Sequence, residues 1–351
     1  MDDEQKRRTI WFANKLVKKN VRLPLLRRPA SGEQFSSLIE SVDHLLTEGS
    51  RKHELLLPDL TAFNNNSIGV FSDYSGEGAG RYNVYSILIC GMNMASAFHD
   101  RVAKVRAEHA LGSKEVSFKD LNMGQLRRAM PEYLEAADQL PGLLYTVAVD
   151  KRIRSVFGSE PDTPKKIAKL LEEAGLGSRS PKTAEKLMRI VHLVAYFVAL
   201  LSADKQRVFW MTDHDEISPT LEQHRQLMEL CFGRVLPFYL QPETKFEIMG
   251  GAIPFGERSV EMNDRLSLPD LVAGVLGDYL TKRDTQRPDD ILIKEAAGDI
   301  FLWLTKPGIG LKKICTFLRP GSNGLIERGT ISFSPTTPPE LTFIPIFDQP
   351  A

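Results

Sequence analysis

The sequence predicts an α/β fold, a mixed central sheet flanked by helices. Short β-prone apolar runs alternate along the chain with longer stretches of helical period. Several of those runs end on an acidic residue, where a chain leaves the edge of a sheet. The 351 residues give room for about two domains, or one elaborated domain. At 42% hydrophobic and 26% charged residues, the composition is that of an ordinary globular chain. It excludes disorder, a collagen-like fibre and a disulfide scaffold as descriptions of the whole. Basic and acidic residues number 45 each, so only their local distribution can point to a partner.

Residues 1–66 read as a helical, basic extension. Lys6, Arg7, Arg8, Lys15, Lys18, Lys19, Arg22, Arg27 and Arg28 outweigh Asp2, Asp3 and Glu4 there. Such a run suits a phosphate backbone or a solvated helix face, and both readings stay open. A second helix is expected over 32–47. Ile68 to Asp73 and Tyr82 to Met92 are β-prone and joined through glycines, hence an antiparallel hairpin. Helices are expected over 95–110 and 123–139, then a buried strand over 143–149 that ends on Asp150. The polar, proline-punctuated stretch 158–189 reads as a helical insertion. An apolar helix over 187–201, a strand over 207–212, a helix over 219–231 and a short strand over 248–253 follow. Pro269 to Lys282 is expected to be a helix with proline in its first turn. Residues 284–351 read as a β-rich appendage or a closing sheet edge.

The three cysteines, Cys90, Cys231 and Cys315, have no CxxC spacing and read as small apolar residues. The first residues, MDDEQKRRTIWF, lack the apolar core of a secretory signal. The most apolar run, 193–201, is far short of the roughly 20 residues of a membrane span. A cytoplasmic protein without a membrane partner is therefore expected.

The acids at strand ends are Asp73 in IGVFSD, Asp150 in LLYTVAVD, and Asp213 with Asp215 in VFWMTDHD; Asp270 sits in the helix LPDLVAGVLGDYL. Each alone suits a turn or a helix cap, and Asp270 suits a first-turn acid facing the helix dipole. Gathered together, carboxylates repel and raise one another's pKa, which a hard cation such as Mg²⁺ or Mn²⁺ relieves. Two such ions about 4 Å apart can support phosphodiester cleavage. Other chemistries fit less well. Ser75 lies outside a GxSxG elbow, and Gly76, Gly78 and Gly80 precede no helix of a nucleotide fingerprint. His214 reads as a general acid or as a capping residue. Lys151 either meets a substrate phosphate or neutralises its acidic neighbours. Lys165 and Lys166, with the other cations of 158–189, suit a substrate-gripping lid or a solvated hairpin.

The order FSDYSGEG, KEVSFKDL, AVDK, MTDHDE, SLPDLVAG resembles the bacterial family catalogued as domain of unknown function 3800. It spans roughly Ile68 to Lys282, with Asp73–Gly76 and Ser267–Gly274 the most specific parts. The resemblance implies an RNase H-like core over 67–283 and an acidic cluster holding Mg²⁺ or Mn²⁺. It puts Asp73 on the first central strand, Glu115 at the start of a helical segment and Asp270 on the late helix. It puts Asp150 at the end of the fourth strand and Asp213, an auxiliary ligand, on the fifth. Glu115 rests on the resemblance alone. Where the family carries a second acid after the first aspartate, Tyr74 stands here.

The expected function is a metal-dependent nuclease, with Asp73, Glu115, Asp150 and Asp270 catalytic. Lys18, Lys19, Lys151, Lys165 and Lys166 would hold DNA or RNA. The alternative is a non-catalytic module that binds nucleic acid or protein, within a bacterial defence or mobile-element system. A toxin-like effector is a third reading.

Overall fold

The structure is a computed structural model. It describes residues 3–17, 26–29, 33–52, 55–76, 78, 80–213, 216–251, 260–287, 295–322 and 325–333. Among these, seven strands form one mixed sheet. They are β1 (Ser67–Ser75), β2 (Tyr82–Gly91), β3 (Gly142–Asp150), β4 (Arg207–Thr212), β5 (Ile248–Gly251), β6 (Leu311–Pro320) and β7 (Ile326–Thr330). Their order across the sheet is β5-β4-β1-β2-β3-β6-β7. β1, β3, β4, β5 and β6 run parallel; β2 and β7 run against them. The expected hairpin is β1–β2, in register from Ile68 opposite Gly91 to Ser75 opposite Val84. The residues after 284 do not stand apart, because β6 and β7 continue the same sheet beyond β3.

Both faces are covered, which is why the central strands read as continuous apolar runs rather than alternating ones. One face packs against α2 (Ser37–Arg51) and α6 (Pro181–Leu201), with α7 (Leu221–Met228) and the π-helical turn Glu229–Val235 behind them. The other packs against α3 (Ser96–Glu108), α4 (Gly124–Ala137), α8 (Val260–Thr285) and α9 (Glu295–Thr305). Two further α-helices among the described residues are α1 (Asp3–Lys15) and α5 (Thr163–Glu173). α6 begins at a well-formed start: Pro181 occupies the first turn and the Ser180 hydroxyl accepts from the Thr183 N–H at 3.1 Å. Its side chains are buried nearly all round, so α6 is a central helix of its face although it begins within the expected insertion.

Two elements differ from expectation. α9 lies where strands were expected; its Ala296, Ala297, Ile300 and Trp303 bury one helical face in the core, where α9 packs chiefly on α4. α8 begins at Val260, nine residues before Pro269, which sits in its interior. Proline there deprives the Arg265 carbonyl of its usual donor. Burial of Leu266, Leu268, Leu271 and Val272 outweighs that loss, each such side chain contributing about 2 kcal/mol.

α8 crosses β1 and β2, and at Gly274 it lets the 3-10 turn Phe118–Asp120 lie directly on its surface. A Cβ on Gly274 would collide with the Phe118 ring and lie 2.7 Å from its Cβ. Gly298 in α9 faces open space instead. Helix propensity alone favours alanine over glycine by about 1 kcal/mol at either position. Gly298→Ala should therefore raise the melting temperature. Gly274→Ala should lower it, since overpacking costs about 1–3 kcal/mol. Thermal unfolding of the two variants beside the parent checks this; two shifts of the same sign would contradict it.

Candidate functional site

The helix α8 covers a patch of acids at the carboxyl ends of the parallel strands. Along β1, Phe71 and Asp73 point to the α8 face, while Val70, Ser72 and Tyr74 point to the α6 face. Asp73 is nearly buried (8% exposed), and the N–H of Tyr74 donates to its Oδ1. Next to β1, the ladder with β4 runs to Ser72 opposite Thr212. The N–H of Asp213 then donates to the Ser72 carbonyl at 3.2 Å. Asp213 thus stands beside Asp73 on the neighbouring strand, in phase with Met211 on the α8 face.

Asp270 meets this patch from above. It lies well inside α8, so the helix dipole does not account for it. Its Oδ2 accepts from the Phe118 N–H at 2.7 Å, a bond available because Gly274, one turn further on, admits the Phe118 segment. That segment also carries Glu115. Burial pushes the Asp270 carboxyl up, the Phe118 bond opposes this, and the charges of Asp213 and Glu115 raise it further, to about 6. Lys119 offsets only part of the rise. The structure thus brings Asp213, Glu115 and Asp270 into one electrostatic neighbourhood, on the sheet face that carries Asp73.

Asp150 is not part of it. It ends the third strand, and Asp213 follows the fourth, each one strand earlier than the resemblance implies. In the register, Asp73 lies opposite Ser86 and Ser86 opposite Thr146. Asp150 is four residues further along β3. With about 3.3 Å per residue and 4.8 Å per strand, that is roughly 16 Å from Asp73. Its carboxylate is already held by Arg152, through the backbone N–H at 2.9 Å and Nη2 at 2.8 Å, and by Arg81 Nε at 3.1 Å. Burial alone would raise its pKa; these hydrogen bonds, chiefly from Arg152, outweigh that and hold it low. Asp150 thus stands apart from Asp73 and anchors the 81 and 152 loops.

No protein-family model matches the chain, and no curated protein matches it in sequence.

Four carboxylates offer hard oxygen donors suited to Mg²⁺ or Mn²⁺, and the raised pKa of Asp270 is the strain a cation would relieve. Among the described residues, however, no three His, Cys, Asp or Glu side chains converge closely enough to hold an ion as they stand. His214 and Asp215 lie outside the described residues, as do Lys18 and Lys19. Tyr74, where the resemblance implies a second acid, points away from the patch; its hydroxyl meets Ser72 Oγ at 2.6 Å and Thr212 Oγ1 at 3.1 Å. Lys151 and Lys165 line a cavity on the opposite face of β1. Lys166 is exposed and pairs with Glu160 and, at 3.5 Å, Asp162.

Sequence reasoning missed Arg81, Arg152, the Phe118 amide and Gly274. Only Gly274 left a trace, four residues after Asp270 and so on the same helix face.

The two acids should respond oppositely to neutralisation. The raised Asp270 pKa means its stabilising, protonated form is fully present below about pH 4 and lost as pH rises through about 6. Asp270→Asn should then be more stable than the parent above pH 7, on the order of 2 kcal/mol, with the gain vanishing near pH 4. The low pKa of Asp150 contributes stability above its unfolded value, lost as pH falls. Asp150→Asn should cost about 2 kcal/mol at neutral pH, the scale of hydrogen bonds to a charged group. Melting curves of both variants from pH 4 to 8 check the signs; destabilisation by Asp270→Asn above pH 7 would contradict the account.

Proposed function

We propose that the chain is a divalent-metal-dependent nuclease of RNase H-like fold, related to the domain of unknown function 3800 family. The observation that carries this reading is Asp270, buried within electrostatic reach of Asp213 and Glu115 on the sheet face that bears Asp73. The strand order β5-β4-β1-β2-β3, with only β2 of these reversed, is in keeping with an RNase H-like sheet. Asp73, Asp213, Asp270 and Glu115 would hold Mg²⁺ or Mn²⁺, and Asp150 is left out of that set. When bound, such ions supply activation of water and stabilisation of the leaving oxygen. The Phe118 N–H fixes the orientation of Asp270, and α8 covers the patch from one side. DNA or RNA is the proposed partner, in a bacterial, cytoplasmic setting. No helix of the described residues is long and apolar enough to cross a membrane.

A second reading, a non-catalytic binding module serving a defence system through a protein partner, is favoured by one observation: the carboxylates do not converge as they stand. Cleavage of labelled single- and double-stranded DNA, RNA and RNA–DNA hybrid, with Mg²⁺, Mn²⁺ or EDTA, separates the two. The nuclease reading expects metal-dependent cleavage that falls at least about a hundredfold in Asp73→Asn and in Asp213→Asn. Asp150→Asn should lose activity only in proportion to its loss of folded protein. No cleavage of any substrate would favour the binding module.

A further inference from the structure

On the face of β1 opposite the acids, a cavity of about 540 Å³ lies between the end of β1, the start of β2 and the starts of α5 and α6. Six cations line it, Lys151, Arg154, Lys165, Lys182, Lys186 and Arg189, against two carboxylates, Glu185 and Glu216. Their partners divide them into two groups. Arg189 is spent on Glu185 at 3.0 Å and on the Ile153 carbonyl at 3.2 Å. Glu185 also accepts from the Val156 N–H and the Ser155 hydroxyl, each at 3.0 Å, so this pair is a neutral floor. Lys186 is buried, 3.7 Å from Glu216 and over the Tyr74 ring.

Among the described residues, the remaining four cations pair with no carboxylate. Lys151 gives one proton to the Gly78 carbonyl at 2.7 Å. Among the described residues, the side chains of Arg154, Lys165 and Lys182 make no hydrogen bond or ion pair. Lys151 and Lys182 are close enough to repel; burial, then Lys182, lowers the Lys151 pKa. Pro164 and Pro181 mark the first turns of α5 and α6, so the positive ends of two helix dipoles border the same space. Arg154, Lys165 and Lys182 are exposed and keep their charge in water, and with Lys151 they give this half-open cavity a positive potential that favours entry of an anion. In the rest of the lining Tyr74, Tyr85, Ile153 and the prolines form an apolar and aromatic part, beside the polar Ser75 and Asn83. It suits a planar base and a sugar, and the volume is that of a small-molecule site.

We propose that this cavity is a nucleotide-binding site, its lysines and Arg154 holding the phosphates and its aromatic wall the nucleoside. The site goes beyond the nuclease reading and stands without it, since it shares no side chain with the acidic patch. The nucleotide is either free or the 5′-phosphorylated end of a strand.

The test is a fluorescence titration with N-methylanthraniloyl-ATP in EDTA, which silences the acidic patch. The site expects saturable one-to-one binding, weakened about tenfold by Lys182→Ala and by Lys151→Ala. Lys182 is exposed and unbonded, so its variant should fold as the parent does. Lys104→Ala, an exposed cation on α3 paired with Glu108, and Asp270→Asn should bind unchanged. Displacement by a 5′-phosphorylated oligonucleotide, and not by its dephosphorylated twin, assigns a strand end. Displacement by ATP alone assigns a free nucleotide. No binding, binding indifferent to both lysine variants, or equal displacement by inorganic pyrophosphate would overturn the proposal. Failure of the nuclease assay leaves these outcomes untouched.

Discussion

The close approach of the Phe118 segment to α8 is the constraint on which the acidic patch depends. A side chain at 274 would hold that segment away. With glycine there, one contact does two things: it supplies the amide that orients Asp270 and it brings Glu115 near. The helix, in turn, is placed by its apolar face over β1 and β2, whose register sets Asp73 and Asp213 side by side. Packing thus gathers charges that would separate in water. Burial, and after it the charges of Asp213 and Glu115, raise the Asp270 pKa to about 6. A protein that keeps such strain at one spot is a candidate for function there.

Much of the fold was legible because its signals are periodic. The β1–β2 hairpin, β3, β4 and the apolar part of α6 follow from apolar runs of strand or helix length. Two elements were not legible, for different reasons. Pro269 reads locally as a helix start, and only tertiary burial on both sides of it makes an interior position tolerable. In α9, the sequence EAAGDIFLWLT mixes four β-prone residues with five helix formers, and its packing against α4 decides the outcome.

The site was legible as a list and not as an arrangement. Asp73, Asp150 and Asp213 share one local pattern, an apolar run ending in aspartate. What separates them is register. β3 extends past the end of β1, so Tyr82 and Asp150 pair two residues beyond the last β1–β2 pair. Asp150 therefore emerges among Arg81 and Arg152 rather than beside Asp73. Glu115 carries no signal of its own, because it lies in a loop whose position depends on a contact about 150 residues away in sequence. The basic cavity was visible only in part: the lysines of 158–189 were, their convergence with Lys151 across the end of β1 was not.

In the proposed nuclease, Asp270 and its neighbours would form a cation site whose occupancy competes with a proton. Calorimetric titration of Mn²⁺ into the protein at pH 5 and pH 8 tests it most directly. Binding should be about tenfold tighter at pH 8, with proton release near pH 6 read from buffers of different ionisation enthalpy. No binding at either pH, or equal affinity at both without proton release, would contradict the account.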